Sequence, residues 1–199
     1  MKRIWCKNFS LDDAMAITIV VALLATLAGP ALILRDHARS KTCMEHLKAI
    51  GYATICYTED YDGTLYPFGG PTLKLGMRPL RDALRKYVKN DLTWKCPSDN
   101  GPADDNFHSS SYYTNGASYL FNGNIYATAP VNTPKRLCTC RDLRQLVLYW
   151  DLNSHFKKDV LSRETARSTR QYVVYGDGLV SGLSCEELIH AVNVTGTLW

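Results

Sequence analysis

Concentrated charge is the first thing this sequence lacks. Among its 199 residues, 23 Lys and Arg face 19 Asp and Glu, and three of the bases, Lys2, Arg3 and Lys7, precede the first apolar run. Without those three the balance is 20 against 19, so no basic face is left to neutralise phosphates, and nucleic-acid binding is not expected. Catalytic and metal signatures are missing too. There is no Gly-x-Ser-x-Gly, no His-Glu-x-x-His, no phosphate-cradling glycine loop and no cysteine set like a nucleophile, so no enzyme activity and no cofactor are expected. The five His are dispersed and no Cys-x-x-Cys occurs, which argues against a zinc site. With 46% hydrophobic and 21% charged residues, the chain is neither a disordered tail nor a fibrous repeat. Its length favours one domain, or one domain plus an appended segment, over two full-sized domains.

What is present begins with Ala14–Leu34, 21 residues without a charge. At about 1.5 Å per residue a helix of this length spans a hydrocarbon core of roughly 30 Å. A membrane helix is the direct reading. The rivals are a cleaved secretory signal, with Thr26-Leu27-Ala28 before Gly29 as its cleavage site, and a buried core helix. Charge does not fix the orientation, because Lys2, Arg3 and Lys7 on one side face Arg35, Arg39 and Lys41 on the other. Asp12 and Asp13 stand between the basic leader and the run, where they suit the positive end of a helix dipole.

The segment Asn8-Phe9-Ser10-Leu11-Asp12-Asp13, between a short basic leader and the apolar run, resembles the class III signal of type IV prepilins and type II secretion pseudopilins. The resemblance implies removal of residues 1–8 by a prepilin peptidase between Asn8 and Phe9, and methylation of the new Phe9 amine. Residues 9–34 would be the transmembrane part of a long helix, and 35–199 a globular head outside the inner membrane. It also places Asp13 at the fifth mature position, where the family's acid meets the terminal amine of a neighbouring subunit and sets register. The physical reason is that a carboxylate in an apolar phase is expensive unless it meets a cation. The alternative for Asp13 is a plain helix N-terminal acid at the membrane surface.

Past Arg35, the residues Cys43, Leu47, Ile50, Thr54, Tyr57 and Tyr61 recur at steps of three and four, so the helix is expected to continue along one face. From Asp13 to Tyr57 it would be roughly 65 Å long, with a bend at Pro30. A short amphipathic helix is expected over Pro79–Lys89, with Met77, Leu80, Leu84, Tyr87 and Val88 inward and Arg78, Arg81, Arg85, Lys86 and Lys89 outward. That basic face is a candidate for an acidic partner or a solvated surface. Tyr112-Tyr113 and Ser118–Phe121 flank Asn115-Gly116 as one hairpin, and Gln171–Tyr175 and Leu179–Leu183 flank Gly176-Asp177-Gly178 as another. Gln145–Trp150 is an apolar run. A terminal helix is expected over Glu186–Val192, capped by Ser184. The fold class is α+β: a pilin-like long N-terminal helix, half transmembrane and half packed on a small antiparallel sheet.

The head adds to the resemblance. A cysteine-bearing helix segment at Ala38–Gly51, Tyr57–Gly63, the Cys96-Pro97-Ser98-Asp99 element, Ser110–Gly116 and the closing Val173–Val180 follow the order seen in a branch of bacterial pseudopilin-like proteins. That resemblance implies a Cys43–Cys96 disulfide. Seven cysteines occur, at 6, 43, 56, 96, 138, 140 and 185, and leader removal would leave six for an oxidising compartment. Cys138 and Cys140 are too close to pair easily, so Cys56 and Cys185 are expected to supply one partner each. Major pseudopilins often bind calcium through head carboxylates. Asp151, Asp159 and Asp177 could offer oxygens, but no spacing resembles a calcium loop, and Asp177 reads as a turn residue.

The function expected from these features is that of a structural subunit of a type II secretion pseudopilus or a type IV pilus-like filament, partnered by other pilin subunits. The rival is a static single-pass inner-membrane protein whose exported head binds a ligand. It rests on Asn8, which stands where the family carries Gly.

Overall fold

The computed structural model describes residues 11–67, 77–99, 112, 116–126, 135–151, 170–195 and 197–198; within its helices the side chains of residue 25, residues 27–33 and Cys185 fall outside the description. The first helix, α1, is Leu11–Asp60, unbroken through Pro30, with Asp12 and Asp13 in its first turn. The chain divides into two compact units, one ending at Ala38 and the other Arg39–Trp199, and α1 belongs to both.

In the first unit, Met15, Ile17, Ile19, Val20, Val21, Leu23, Leu24 and Leu34 are all at least half exposed. Among the described residues no helix is long and apolar enough to cross a membrane. Within the apolar run Ala14–Leu34, the side chains of residue 25 and of residues 27–33 fall outside the description.

The second unit is an α+β head. Among the described residues, β1 (Tyr119–Phe121), β2 (Val147–Asp151), β3 (Arg170–Tyr175) and β4 (Val180–Ser184) form one antiparallel sheet in sequence order. Alternation along the strands, broken in β2 by a register irregularity between Val147 and Tyr149 that puts these two on opposite sides, gives the sheet two apolar faces. Tyr119, Phe121, Tyr149, Tyr172 and Val174 join the main core with α1, whereas Val147 and Val173 form a smaller core with Leu188. Leu188 belongs to the terminal helix α3 (Cys185–Thr195). Its start is a reciprocal cap: the Glu187 amide donates to the Ser184 hydroxyl at 3.3 Å, and the Ser184 amide donates to the Glu187 carboxylate at 2.8 Å.

The helix stripe predicted from spacing is the one α1 buries. Cys43, Leu47, Ile50, Thr54 and Tyr57 all reach the core, joined by Ala53. Two hydroxyl pairs tie the helix to the sheet, Ser40 to Tyr172 and Thr54 to Tyr149, the latter at 2.8 Å. Gly51 lets the two elements approach closely, since a Cβ there would lie 2.6 Å from Val174 Cγ2. Tyr61 departs from the stripe. The helix stops at Asp60, so Tyr61 falls in the following turn, exposed, with its ring stacked on Tyr57 at 4.3 Å. Asp62 at φ 60° and Gly63 at φ 76° then reverse the chain.

Two further expectations shift. The helix over Pro79–Lys89 is α2 (Arg78–Ala83) followed by a 3₁₀ turn at Leu84–Lys86, with Leu80 and Leu84 buried. The segment expected as a strand at Tyr112 is not paired with β1. Instead β1 pairs with β2, in register Tyr119↔Asp151 and Phe121↔Tyr149, and the Tyr112 amide donates to Asp99 Oδ2 at 2.9 Å. A non-local partner outcompeted the local turn signal. Residues 113–115, which carry that signal, lie outside the described residues.

Candidate functional site

The processing pair Asn8 and Phe9 lies outside the described residues. Asp13 is exposed in the first turn of α1. The described site residues that do converge are in the head, around a disulfide.

Cys43 on α1 and Cys96 in the loop after a 3₁₀ turn (Asp91–Trp94) are bonded, with Cα atoms 5.4 Å apart and a sequence separation of 53. Closing a loop of that length contributes about 4 kcal/mol on the chain-entropy scale. Both cysteines are fully buried. The Cys-Pro-Ser-Asp element makes a tight turn, the Asp99 amide donating to the Cys96 carbonyl at 2.9 Å. Ser118, fully buried ahead of β1, links the turn to the sheet: its hydroxyl donates to Asp99 Oδ2 at 2.6 Å and accepts from the Cys96 amide at 3.0 Å.

Asp151 completes the centre. It ends β2, two residues beyond Tyr149 and therefore on the same face, and it is fully buried. Its carboxylate and the sulfurs of Cys43 and Cys96 all lie within 4.8 Å of one another. Beside them, His46 follows Cys43 by one helical turn, and its Nδ1 donates to the Lys95 carbonyl at 3.2 Å. The Tyr119 hydroxyl lies 3.3 Å from the same nitrogen. Burial pulls the His46 pKa below its ordinary value, against the opposing effects of the Lys95 carbonyl and the Glu45 and Asp151 charges. Burial pushes the Tyr119 phenol far up, with the Asp151 and Asp99 charges adding to it.

The other cysteines differ from expectation. Cys56 and Cys138 are exposed free thiols and Cys140 is a half-buried one, so neither Cys138 nor Cys140 is bonded to Cys56. Cys56 points off the buried stripe of α1 into solvent, whereas Cys138 sits in a 3₁₀ turn (Leu137–Thr139) beside Gly63, beyond the helix end. The Cys185 side chain lies outside the described residues.

The carboxylates considered for calcium separate. Val147, at the start of β2, pairs with Tyr175, so the Gly176–Gly178 turn bearing Asp177 is at the opposite end of the sheet from Asp151. Asp177 accepts from the Leu179 amide at 2.9 Å, as a turn former does. Asp159 lies outside the described residues. The basic face of α2 and the turn after it is partly satisfied within the head. Arg81 pairs with Asp91 at 3.4 Å and donates to the Gly116 carbonyl at 3.1 Å, and Lys86 pairs with Asp60 at 2.7 Å. Asp60 also accepts from the Tyr87 hydroxyl at 2.6 Å, and that hydrogen bond pushes the Tyr87 phenol up to about 12.

An open groove of about 480 Å³ runs beside α1, lined by Lys41, Glu45, Lys48 and Tyr52 on the helix and by Asp177 and Leu179 in the turn between β3 and β4. The sequence indicated neither this groove nor the part played by Asp151. Only the end of an apolar run at an acid could have pointed to the latter. Comparison of the chain with protein-family models, curated proteins and solved structures finds no match.

Proposed function

We propose that this chain is a pseudopilin-like subunit, anchored in the inner membrane by residues 9–34 and assembled through α1 into a pseudopilus or pilus-like filament. The observation that carries the reading is the contrast along one helix. Between Cys43 and Tyr57 one apolar stripe of α1 (Cys43, Leu47, Ile50, Ala53 and Tyr57) is buried in an α+β head, whereas from Met15 to Leu24 the large apolar side chains are exposed. So long an apolar stripe on a helix of a stable protein calls for a cover, and lipid followed by neighbouring helices supplies one. Its mechanism is mechanical. Helices pack in the filament core, Asp13 meets the Phe9 amine of the next subunit, and the heads present the outer surface.

Mass spectrometry of the N-terminus of membrane-extracted protein tests this directly. A species beginning at a methylated Phe9 is the expected result. Retention of Met1 to Asn8 overturns assembly through that amine. It would favour the static single-pass reading, for which the groove between Lys41 and Leu179 offers the head a ligand site.

A further inference from the structure

The Cys43–Cys96 bridge has the fully buried carboxylate of Asp151 at its side. We infer that, when the bridge is reduced, Cys43, Cys96 and Asp151 form a binding site for a thiophilic divalent cation of the zinc type.

Three observations converge. The donor atoms, two sulfurs and one carboxylate oxygen, lie within 4.8 Å of one another. Ligands of one tetrahedral zinc, at about 2.3 Å for sulfur and about 2.0–2.2 Å for oxygen, lie just under 4 Å apart, so once the S–S bond is broken the two sulfurs move apart around the ion while the carboxylate draws in. All three residues are fully buried, and they come from α1, the loop before β1 and the end of β2. An ion there would tie together the elements that the disulfide ties now. The donor chemistry also fits. Two thiolates and one carboxylate select a borderline-soft ion over calcium or magnesium, which take oxygen ligands. Solvent or a small anion fills the fourth position.

The exchange balances with a dithiol as reductant. The dithiol gives two electrons and two protons to the bridge and leaves as its own cyclic disulfide. The two thiols so formed then lose their protons to solvent as the ion binds, which makes the affinity rise with pH. Oxidation by a disulfide-bearing oxidant reverses the sequence and expels the ion. The site is thus available only before the bridge has formed or after it has been reduced. It does not depend on filament assembly.

The test uses the full chain in detergent, reduced with a phosphine and titrated with Co²⁺ and then Zn²⁺, beside the oxidised chain. Expected is one equivalent of Co²⁺, with thiolate-to-cobalt charge-transfer bands in the reduced chain only, displaced by Zn²⁺. Asp151→Asn, which keeps the shape, should bind about tenfold or more weakly, and Cys96→Ser should lose the bands. Cys56, Cys138 and Cys140 are controlled by a triple Ser variant, which should bind as the parent does. Circular dichroism separates folded from unfolded chains. Binding by Asp151→Asn equal to that of the parent, folded or not, overturns the inference, as does failure of the reduced triple Ser variant to bind.

Discussion

His46 shows at the scale of one side chain how burial is turned into a pH response. Around it lie Glu45 on its own helix, the Lys95 carbonyl, the Tyr119 hydroxyl and the Asp151 charge. Desolvation outweighs the groups that favour the imidazolium, so the folded pKa lies below the ordinary 6.5. The unfolded chain therefore binds the proton first as pH falls. The contribution to stability is complete above about 6.5 and is lost as pH drops from there to the folded value. Denaturant melts of the oxidised protein at pH 7.5, 6.5 and 5.5 should show falling stability, and His46→Gln should flatten the trend. An identical slope in parent and variant would refute the assignment. At the same scale, Asp151 and Ser118 show what a sequence conceals. Each is an ordinary polar residue beside an apolar run, and only the pairing of β1 with β2 and the seating of α1 bring them against the bridge.

Elements were legible where one physical signal dominates. Helix α1 is announced by apolar steps of three and four, α3 by Ser184 followed by Glu187, and the β3–β4 hairpin by Gly176-Asp177-Gly178, with Gly178 at φ 83°. The β1 partner was not legible, because strand pairing across 30 residues leaves no mark in local spacing. The packing of α1 on the sheet was half legible. The stripe was visible, but not the need for a missing side chain at Gly51. Val174 is fully buried in β3, and as a branched residue it has few rotamers with which to yield. Gly51→Ala should therefore destabilise the head by about 1–3 kcal/mol despite the better helix propensity of Ala. In a denaturant-based mutant cycle, the penalty of the double variant with Val174→Ala, which opens the space, should fall short of the sum of the two single penalties. Full additivity would mean that the helix and the strand do not bear on each other at this point.

For the molecule as a whole, the decisive question is whether its two units owe their apolar residues to the same cause. In the head, apolar side chains are buried by the chain's own sheet and helices, and truncating one there should cost about 2–5 kcal/mol. In the unit ending at Ala38, Ile19 and Leu24 are more than half exposed, so a charge placed on them meets little packing among the described residues. Leu24→Lys should leave the melting of the head unchanged within about 0.5 kcal/mol, the ordinary range for surface substitutions. On the proposed reading, the same change falls near the centre of a membrane span, opposes insertion by about 2.5–3.5 kcal/mol and removes a contact between neighbouring helices. Membrane retention and co-purification with other subunits should therefore fall while the isolated fold survives. A head that melts earlier by several kcal/mol would show instead that the stripe packs against its own chain, and the apolar helix would then be a core element with no assembly role.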